Sequence, residues 1–497
     1  MLGNTNAKIV SGSPTPIPTE KEYFVKVIDY DGTIIDEVRL NDGEEYTLPP
    51  APSHSGLVFQ EWSSSETINN GKITIDKNNV MVGAVYTTTS GQSEFDIEVN
   101  NVTGLSVNLM MNGTKDWGDG TINTNTSHTY SQSGQYTIKC NGTSFNNNSY
   151  YNINNKNTNN YNDYCYKNAR ITNCTTISAY LFKNCVSLET VTISKDCSSL
   201  SNYSFDSCYK LKSMVLPSSI SLSYKHHIFR YCYALKNVVI PKSVTSLDGY
   251  TFYSCSSLDN IVIPNGFIGF TDSNNFTACS SLKSVILPNS LTSLSSSTFS
   301  ECVSLEKIRL SDNISQINNT FYNCYSLKEI KIPTNCTSFI GTPFQNCNSL
   351  EKVEMNDNIT SISANSFNNC FSLKEIKIPS GVTVINGSIF IYCKCLEKVE
   401  LSNNITVING SAFSNCFSIT HLKMPSKLTE IKSSVFDSCY GIVEYDFSES
   451  ESVPILGGTN AFNKINQNCK IKVPASLYDT WIAETNWVTY ANYIVAV

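Results

Sequence analysis

The chain has little charge, few histidines and no long apolar run. Charged residues make up 15% of its 497 residues and the net charge is −7. That balance gives no global electrostatic attraction for nucleic acid or an anionic membrane. With 40% apolar residues, the low charge also excludes a highly charged disordered chain. No apolar stretch reaches the roughly 18–20 residues of a membrane span. Histidine occurs only at His54, His128, His226, His227 and His421, and no HExxH, GxSxG or P-loop pattern is present. The charged residues fall in recurring columns rather than one cleft, which argues against paired catalytic carboxylates. These absences predict a protein that is not an enzyme, with no cofactor and no metal. His226-His227 reads as an exposed structural pair. The opening segment, MLGNTNAKIVSGSPTPIPTEKEY, lacks a basic region followed by a long apolar stretch, so it does not read as a conventional secretory signal. The terminal YIVAV carries no lipidation signal and no membrane tail.

Cysteine is abundant, but its spacing is neither that of a CxxC metal site nor that of a disulfide scaffold. Twelve of the 19 cysteines recur every 22 to 24 residues: Cys185, Cys208, Cys232, Cys255, Cys279, Cys302, Cys324, Cys347, Cys370, Cys393, Cys416 and Cys439. A phenylalanine lies three positions before each, from Phe182 to Phe436. The unit is Phe-x-x-Cys-x-x-Leu-x-x-[Val/Ile]-x-[Ile/Leu]-Pro. In the copy from Cys370 to Cys393, Leu373, Ile376 and Ile378 share one side of an extended run, and Pro379 ends it because proline cannot donate to a ladder. A unit this short cannot bury its apolar face alone, so copies must stack. About twelve rungs at roughly 4.8 Å would span roughly 55–60 Å. The cysteine column reads as small buried side chains with weak S–H donors. Equivalent side chains on neighbouring rungs point the same way, which suits neither a disulfide nor a tetrahedral metal site. Reduced thiols fit folding in a cytoplasm.

The pattern resembles the BspA-type leucine-rich repeats of bacterial surface proteins, over residues 165–468. Val473-Pro474-Ala475, Asp479, Trp481, Trp487, Tyr490 and Ile494 resemble the segment that closes such arrays, giving a C-terminal cap at 469–497. At 21–88, YFVKVIDYDGTIIDEVRL reads as a hairpin around Asp31-Gly32, followed by Pro49-Pro50, Trp62 and a last strand near 82–86. That order resembles the Listeria–Bacteroides (InlB B-repeat-like) module, a small β-grasp-like spacer, with Trp62 in its core. At 92–144, Asp116-Trp117-Gly118-Asp119-Gly120-Thr121, His128-Thr129-Tyr130 and Gly134-Gln135-Tyr136-Thr137 follow in order. They resemble a PKD-type β-sandwich, whose aspartates fix a turn by local hydrogen bonds. Residues 1–20 read as an extended arm and the Asn/Tyr-rich 145–164 as a connector or first coil. The fold class is therefore mainly β and multidomain: a β-grasp-like domain, a sandwich, then a capped solenoid.

Three surfaces stand out. In the C-terminal half, strand positions carry charges that alternate from rung to rung, as in Lys328-Glu329-x-Lys331 and Glu351-Lys352-x-Glu354. Each charge should therefore meet its opposite across the ladder, fixing register more than adding stability. In the N-terminal half the same positions are apolar, at Val215, Val239, Val262 and Ile286, beside Asn237 and Asn260. Such a stripe on a face expected to be wet marks a partner or ligand surface, unless the preceding domain or a partner chain covers it. An aromatic follows the repeat cysteine at Tyr209, Tyr233, Tyr325, Phe371, Phe417 and Tyr440. That edge suits carbohydrate or protein contacts, or simple packing.

The resemblances imply display and adhesion. Surface modules on a chain that reads as unexported suggest a phage virion protein: a fibre, decoration or receptor-binding-type protein. Its arm would attach to a virion structural protein and its solenoid would contact a host-surface glycan or protein. A bacterial cell-surface adhesin and a purely structural virion component are the alternatives. Asn313, Asn358 and Asn404 also head Asn-x-Ser/Thr sequences, which a composition this rich in asparagine and serine makes common by chance. Homo-oligomerisation stays open. No nucleic acid partner and no membrane insertion are expected.

Overall fold

A computed structural model describes residues 22–100, 106–145, 164–222 and 225–497. The expected arm and nearly all of the Asn/Tyr-rich connector lie outside them.

The N-terminal module is built from β1 (Tyr23–Ile28), β2 (Ile34–Leu40), β3 (Glu45–Thr47), β4 (Leu57–Ser64), β5 (Lys72–Thr74) and β6 (Val80–Thr88). Its main sheet has the order β2-β1-β6-β4, with β1 and β6 parallel and both outer pairs antiparallel. One face packs Tyr23, Val25, Val27, Val80 and Val82 over Tyr46, Ile73 and Ile75. Trp62 packs against that core with Phe59 beside it. The opposite face of β1 and β6 is also apolar, and it does not meet water.

The second module comprises β7 (Ser93–Val99), β8 (Val107–Asn108), β9 (Lys115–Asp116), β10 (Ile122–Asn123), β11 (Ser127–His128) and β12 (Gly134–Cys140). Asp116 accepts from Gly118 N–H and Asp119 from Thr121 N–H, both at 3.0 Å, so the aspartates do fix the turn. His128 joins Asp119 at 2.7 Å and stacks on the buried Trp117, whose carbonyl accepts from Tyr130 Oη.

The second module does not end at a linker. Its sheet continues through β13 (Tyr164–Ile171), antiparallel to β7, and then parallel into the first solenoid strand. After β14 (Thr176–Ile177) that strand is β15 (Thr190–Ile193). One apolar cluster runs from Phe95 to Ile494. The second module therefore supplies the N-terminal closure of the array.

The array has about 14 turns among the described residues, against about twelve expected. The extra turns come from the junction with the second module and from Phe462, whose rung has Ile465 in the cysteine slot. Two ladders of short parallel strands run its length, one through Ser213–Val215, Asn237–Val239 and their successors, the other from β14 onward. Phenylalanines stack between them almost in parallel, as at Phe276–Phe299, 5.4 Å apart and 3° from coplanar.

The cysteines complete this packing. All 19 are free thiols. From Cys208 to Cys439, each repeat cysteine donates Sγ–H to the phenylalanine carbonyl of the preceding rung at 3.0–3.2 Å. The same carbonyl already accepts the N–H of its own rung's cysteine, at 3.1 Å for Cys279 to Phe276. Both lone pairs of a buried C=O are thereby used. Cys174, Cys197 and Cys336 fill another slot, held elsewhere by Ile220, Val244 or Ile314, which is the behaviour of a small hydrophobe.

The C-terminus closes the array. Strand Lys470–Val473 pairs parallel with Ile494–Ala496, and α1 (Tyr478–Ala483) lies between them in sequence. Trp481 and Trp487 cover Phe447 and Phe462, with Trp487 Nε1 donating to Pro454 O at 2.7 Å.

Candidate functional site

Three of the four residues of the predicted apolar stripe are buried, and the fourth, Ile286, is half-buried. Val215 and Val262 are almost inaccessible and Val239 is fully so, packed against Phe24, Ile28, Met81 and Val85 on the second face of the N-terminal sheet. Of the readings open at the sequence level, cover by the preceding domain is the arrangement observed. The stripe is not an open ligand face here. An apolar sheet face and an apolar ladder face remove each other from water, which favours docking at roughly 25 cal/mol per Å² of apolar area buried.

Polar contacts fix the docking geometry around this patch. Ser63 Oγ donates to Leu216 O, and Asn78 Nδ2 to Ile263 O at 2.8 Å. Lys195 N donates to Gln60 and Ser218 N to Glu61, at 2.8 and 2.9 Å. Lys242 pairs with Glu66 at 2.6 Å. Burial works against the Glu66 carboxylate, but Lys242 and the Thr67 N–H outweigh it and hold its pKa below the ordinary value. Asn237, predicted beside the stripe, is buried and its Nδ2 lies 3.5 Å from Gly32 O.

Where the docked sheet ends, a groove opens. It encloses about 750 Å³ between the underside of β2 and the solenoid strands Ser284–Ile286, Lys307–Arg309, Glu329–Lys331 and Lys352–Glu354. Its volume falls within the roughly 300–1,000 Å³ range of ligand pockets. Asn260 and Ile286, the last members of the predicted stripe, line it. Arg309 anchors the near wall, with Nη1 3.2 Å from Glu22 and 2.8 Å from Tyr23 Oη, and also contacts Lys77 O.

The charges along the strand face follow the expected register, with Glu329 opposite Lys352 and Lys331 opposite Glu354. Their ion pairs close differently. Off the strands, Lys328 reaches Glu306 and Lys374 reaches Glu351 across rungs, at 2.9 and 2.6 Å. On the strands, Lys352 pairs with Glu354 and Lys398 with Glu400 within one rung, both at 2.6 Å. Residues two apart in a strand share a face, so the shorter loop is available without crossing the ladder.

The aromatic edge is partly self-satisfied. Tyr209 stacks on Tyr233 at 5.0 Å and Phe417 on Tyr440 at 5.8 Å. Lys394 covers Phe371, 4.9 Å from the ring centroid. Tyr209, Tyr233, Tyr325 and Tyr440 all remain exposed. Each stacked neighbour occupies one ring face.

Sequence reasoning missed a second aromatic column. Tyr180, Tyr203, His227 and Tyr250 stack in sequence at 4.6–4.9 Å. They occupy left-handed backbone positions, with φ of 59 to 63°. Among the described residues no group of three or more His, Cys, Asp or Glu could hold a metal ion. No helix there is long and apolar enough to cross a membrane.

The model of the BspA type leucine rich repeat region matches in six copies across residues 175–480, more than half of the chain. The chain belongs to this family. Such leucine-rich repeat proteins are typically binding or structural rather than catalytic, and membership suggests a non-enzymatic binding or adhesin role. Among solved structures, a leucine-rich repeat protein from Bacteroides ovatus is 20% identical, covering 61% of this chain and 88% of that one with a TM-score of 0.40. A leucine rich cell surface protein from Faecalibacterium prausnitzii is 23% identical, covering 56% and 82%, with a TM-score of 0.38. The pneumococcal vaccine antigen PcpA is 15% identical, covering 66% and 84%, with a TM-score of 0.31. No curated protein matches the chain.

Proposed function

We propose that this BspA-type repeat protein is a non-enzymatic surface-binding protein whose strand face, beyond the docked N-terminal sheet, meets the ligand. The observation that carries the reading is the groove between β2 and the solenoid. It is a recess of about 750 Å³ formed by two modules at the point where cover of the ladder ends. Beyond it the strand face stays open, with exposed charges at Glu375, Lys377, Lys398 and Glu400. Extended arrays of this kind offer large surfaces without a reaction pocket.

The finer assignment is to a phage virion, as a fibre, decoration or receptor-binding-type protein that meets the bacterial host surface. Support comes from the thiols: 17 of 19 cysteines are buried and free, and eleven donate S–H to the phenylalanine carbonyl one rung back. That chemistry suits folding and assembly in a reducing cytoplasm followed by release on lysis. Residues 1–20 are then the attachment segment to a virion structural protein. A bacterial cell-surface adhesin is the second reading, favoured by the family match.

Mass spectrometry and immunogold labelling of purified particles and washed envelopes from the source culture separate the two. Label on particles supports the virion assignment. Label confined to envelopes overturns it and leaves the adhesin. Failure of the full chain to bind host cells or envelopes overturns the binding reading itself.

A further inference from the structure

The groove has a charge pattern that its ion pairs do not cancel. Among its lining residues, Glu22 is engaged by Arg309, Glu37 by Lys26 and Glu354 by Lys352. Arg39 on β2, and Lys307 and Lys331 on the opposite wall, are lining cations without a salt-bridge partner among the described residues. The strand face continues through a smaller recess of about 340 Å³ whose charged lining is balanced, Lys352, Lys377 and Lys398 against Glu354, Glu375 and Glu400, and where Lys377 has no salt bridge among the described residues. Cations thus recur one and then two rungs apart, at a rung spacing of roughly 4.8 Å. Between them stand Glu329 and Glu375, two carboxylates without a salt bridge among the described residues.

We propose that this groove binds a linear polysaccharide bearing carboxylates, a polyuronate, laid along the strand face between β2 and the solenoid. The proposal rests on the binding reading above and names its ligand class. Arg39, Lys307, Lys331 and Lys377 take the uronate carboxylates, Arg39 with a bidentate geometry open to it. Glu329 and Glu375 accept hydrogen bonds from sugar hydroxyls, and Asn79 and Ser284 on the walls add polar contacts. Two acceptor carboxylates among the cations repel a densely phosphorylated or sulfated chain. Of the apolar lining residues, Phe24, Val285 and Ile330 are buried and Ile286 and Ile308 half-buried, so the walls show no deep apolar pocket. A peptide interface would need such a pocket for an anchor side chain.

The full chain is titrated calorimetrically with decagalacturonate, neutral dextran of similar length and poly-glutamate. The expected result is saturable binding of decagalacturonate only, weakening as salt rises. The double variant K331A/K377A and the single variant R39A should each lose tenfold or more in affinity. All three side chains are exposed, so melting temperatures should stay within a degree or two of the parent. K328A removes a cation paired with Glu306 outside the groove lining and should leave affinity unchanged. The proposal is overturned by absence of decagalacturonate binding, by equal binding of poly-glutamate, or by binding indifferent to the variants. Envelope or host-cell binding that persists when decagalacturonate fails sinks the groove assignment alone. Loss of both sinks the binding reading as well.

Discussion

Gly83 of the N-terminal sheet lies directly against Val215 of the solenoid, with no room for a β-carbon between them. A Cβ there would stand 2.6 Å from both Val215 methyls and 2.9 Å from Val239 Cγ2. The neighbours are branched side chains wedged in a packed interface, so they have little freedom to retreat. Gly83 shares this face with its strand partner Ile28. The opposite face holds the module's own core.

Gly83→Val should therefore undock the N-terminal module without unfolding it. The expected outcome is rapid proteolysis between residues 88 and 93 and new binding of a hydrophobic dye, with the module's own fold retained. Val239→Ser, made from the solenoid side, should move in the same direction. An unchanged protease pattern in both would refute the docked arrangement.

Stability should fall steeply in alkali. Burial pushes the Cys279 and Cys439 thiols up to about 12, and the other donors of the ladder are raised as well. In the unfolded chain a thiol ionises near about 8.5. Between those values the unfolded state holds fewer protons than the folded one, so stability is intact below about 8.5 and declines as pH rises toward 12. Each fully buried thiol removes up to about 1.4 kcal/mol per pH unit in that window. Urea unfolding at pH 8, 9 and 10 measures the slope, and replacing two ladder cysteines by alanine should make it shallower.

Acid should loosen the second aromatic column. Burial, helped by Arg230 and His226 and opposed by Asp206 and Asp272, lowers the His227 pKa to about 4. Its Nδ1 is buried with no hydrogen-bond partner among the described residues. The neutral ring is the folded form, so its contribution is present above the ordinary value near 6.5 and is lost as pH falls toward 4. Hydrogen exchange at pH 7 and pH 5 should show weakened protection around residues 203–250 first. His227→Tyr, which extends the tyrosine stack, should remove that pH dependence.

Glu301 should be improvable. It sits exposed at φ 61°, in the slot before the repeat cysteine, where Asn323, Asn346, Asn369 and Asn415 adopt the same left-handed conformation. Asparagine tolerates that region better than other non-glycine residues. Glu301→Asn should stabilise the chain by about 0.5–1 kcal/mol, comparable to other backbone-compatible substitutions. Thermal denaturation reads the shift.

The repeat was legible because its constraint is local and recurs. Each phenylalanine must reach the next, and each cysteine must meet a carbonyl one rung back, so the spacing carries the packing. The apolar stripe was legible as a surface in need of cover. Its cover was not, because a single sequence shows an apolar face without showing what lies on it. One signal was available: YFVKVI and VMVGAV are apolar on both faces, although a small mixed sheet ordinarily keeps one face wet. The groove could not be foreseen for the same reason, since Arg39 and Lys331 are far apart in sequence and meet only through docking. The second module's closure of the array was equally hidden, because the pairing of β7 with β13 spans the connector.

The docked module also sets an order of events during synthesis. Phe24, Ile28, Met81 and Val85 leave the ribosome long before Val215, Val239 and Val262 exist to receive them. At roughly 5–20 residues per second, an adhesive sheet waits on the order of ten seconds or more for its partner. During that interval it can meet the same sheet on a neighbouring polysome. Yield of soluble protein should therefore depend on translation speed and on chaperones that hold nascent chains.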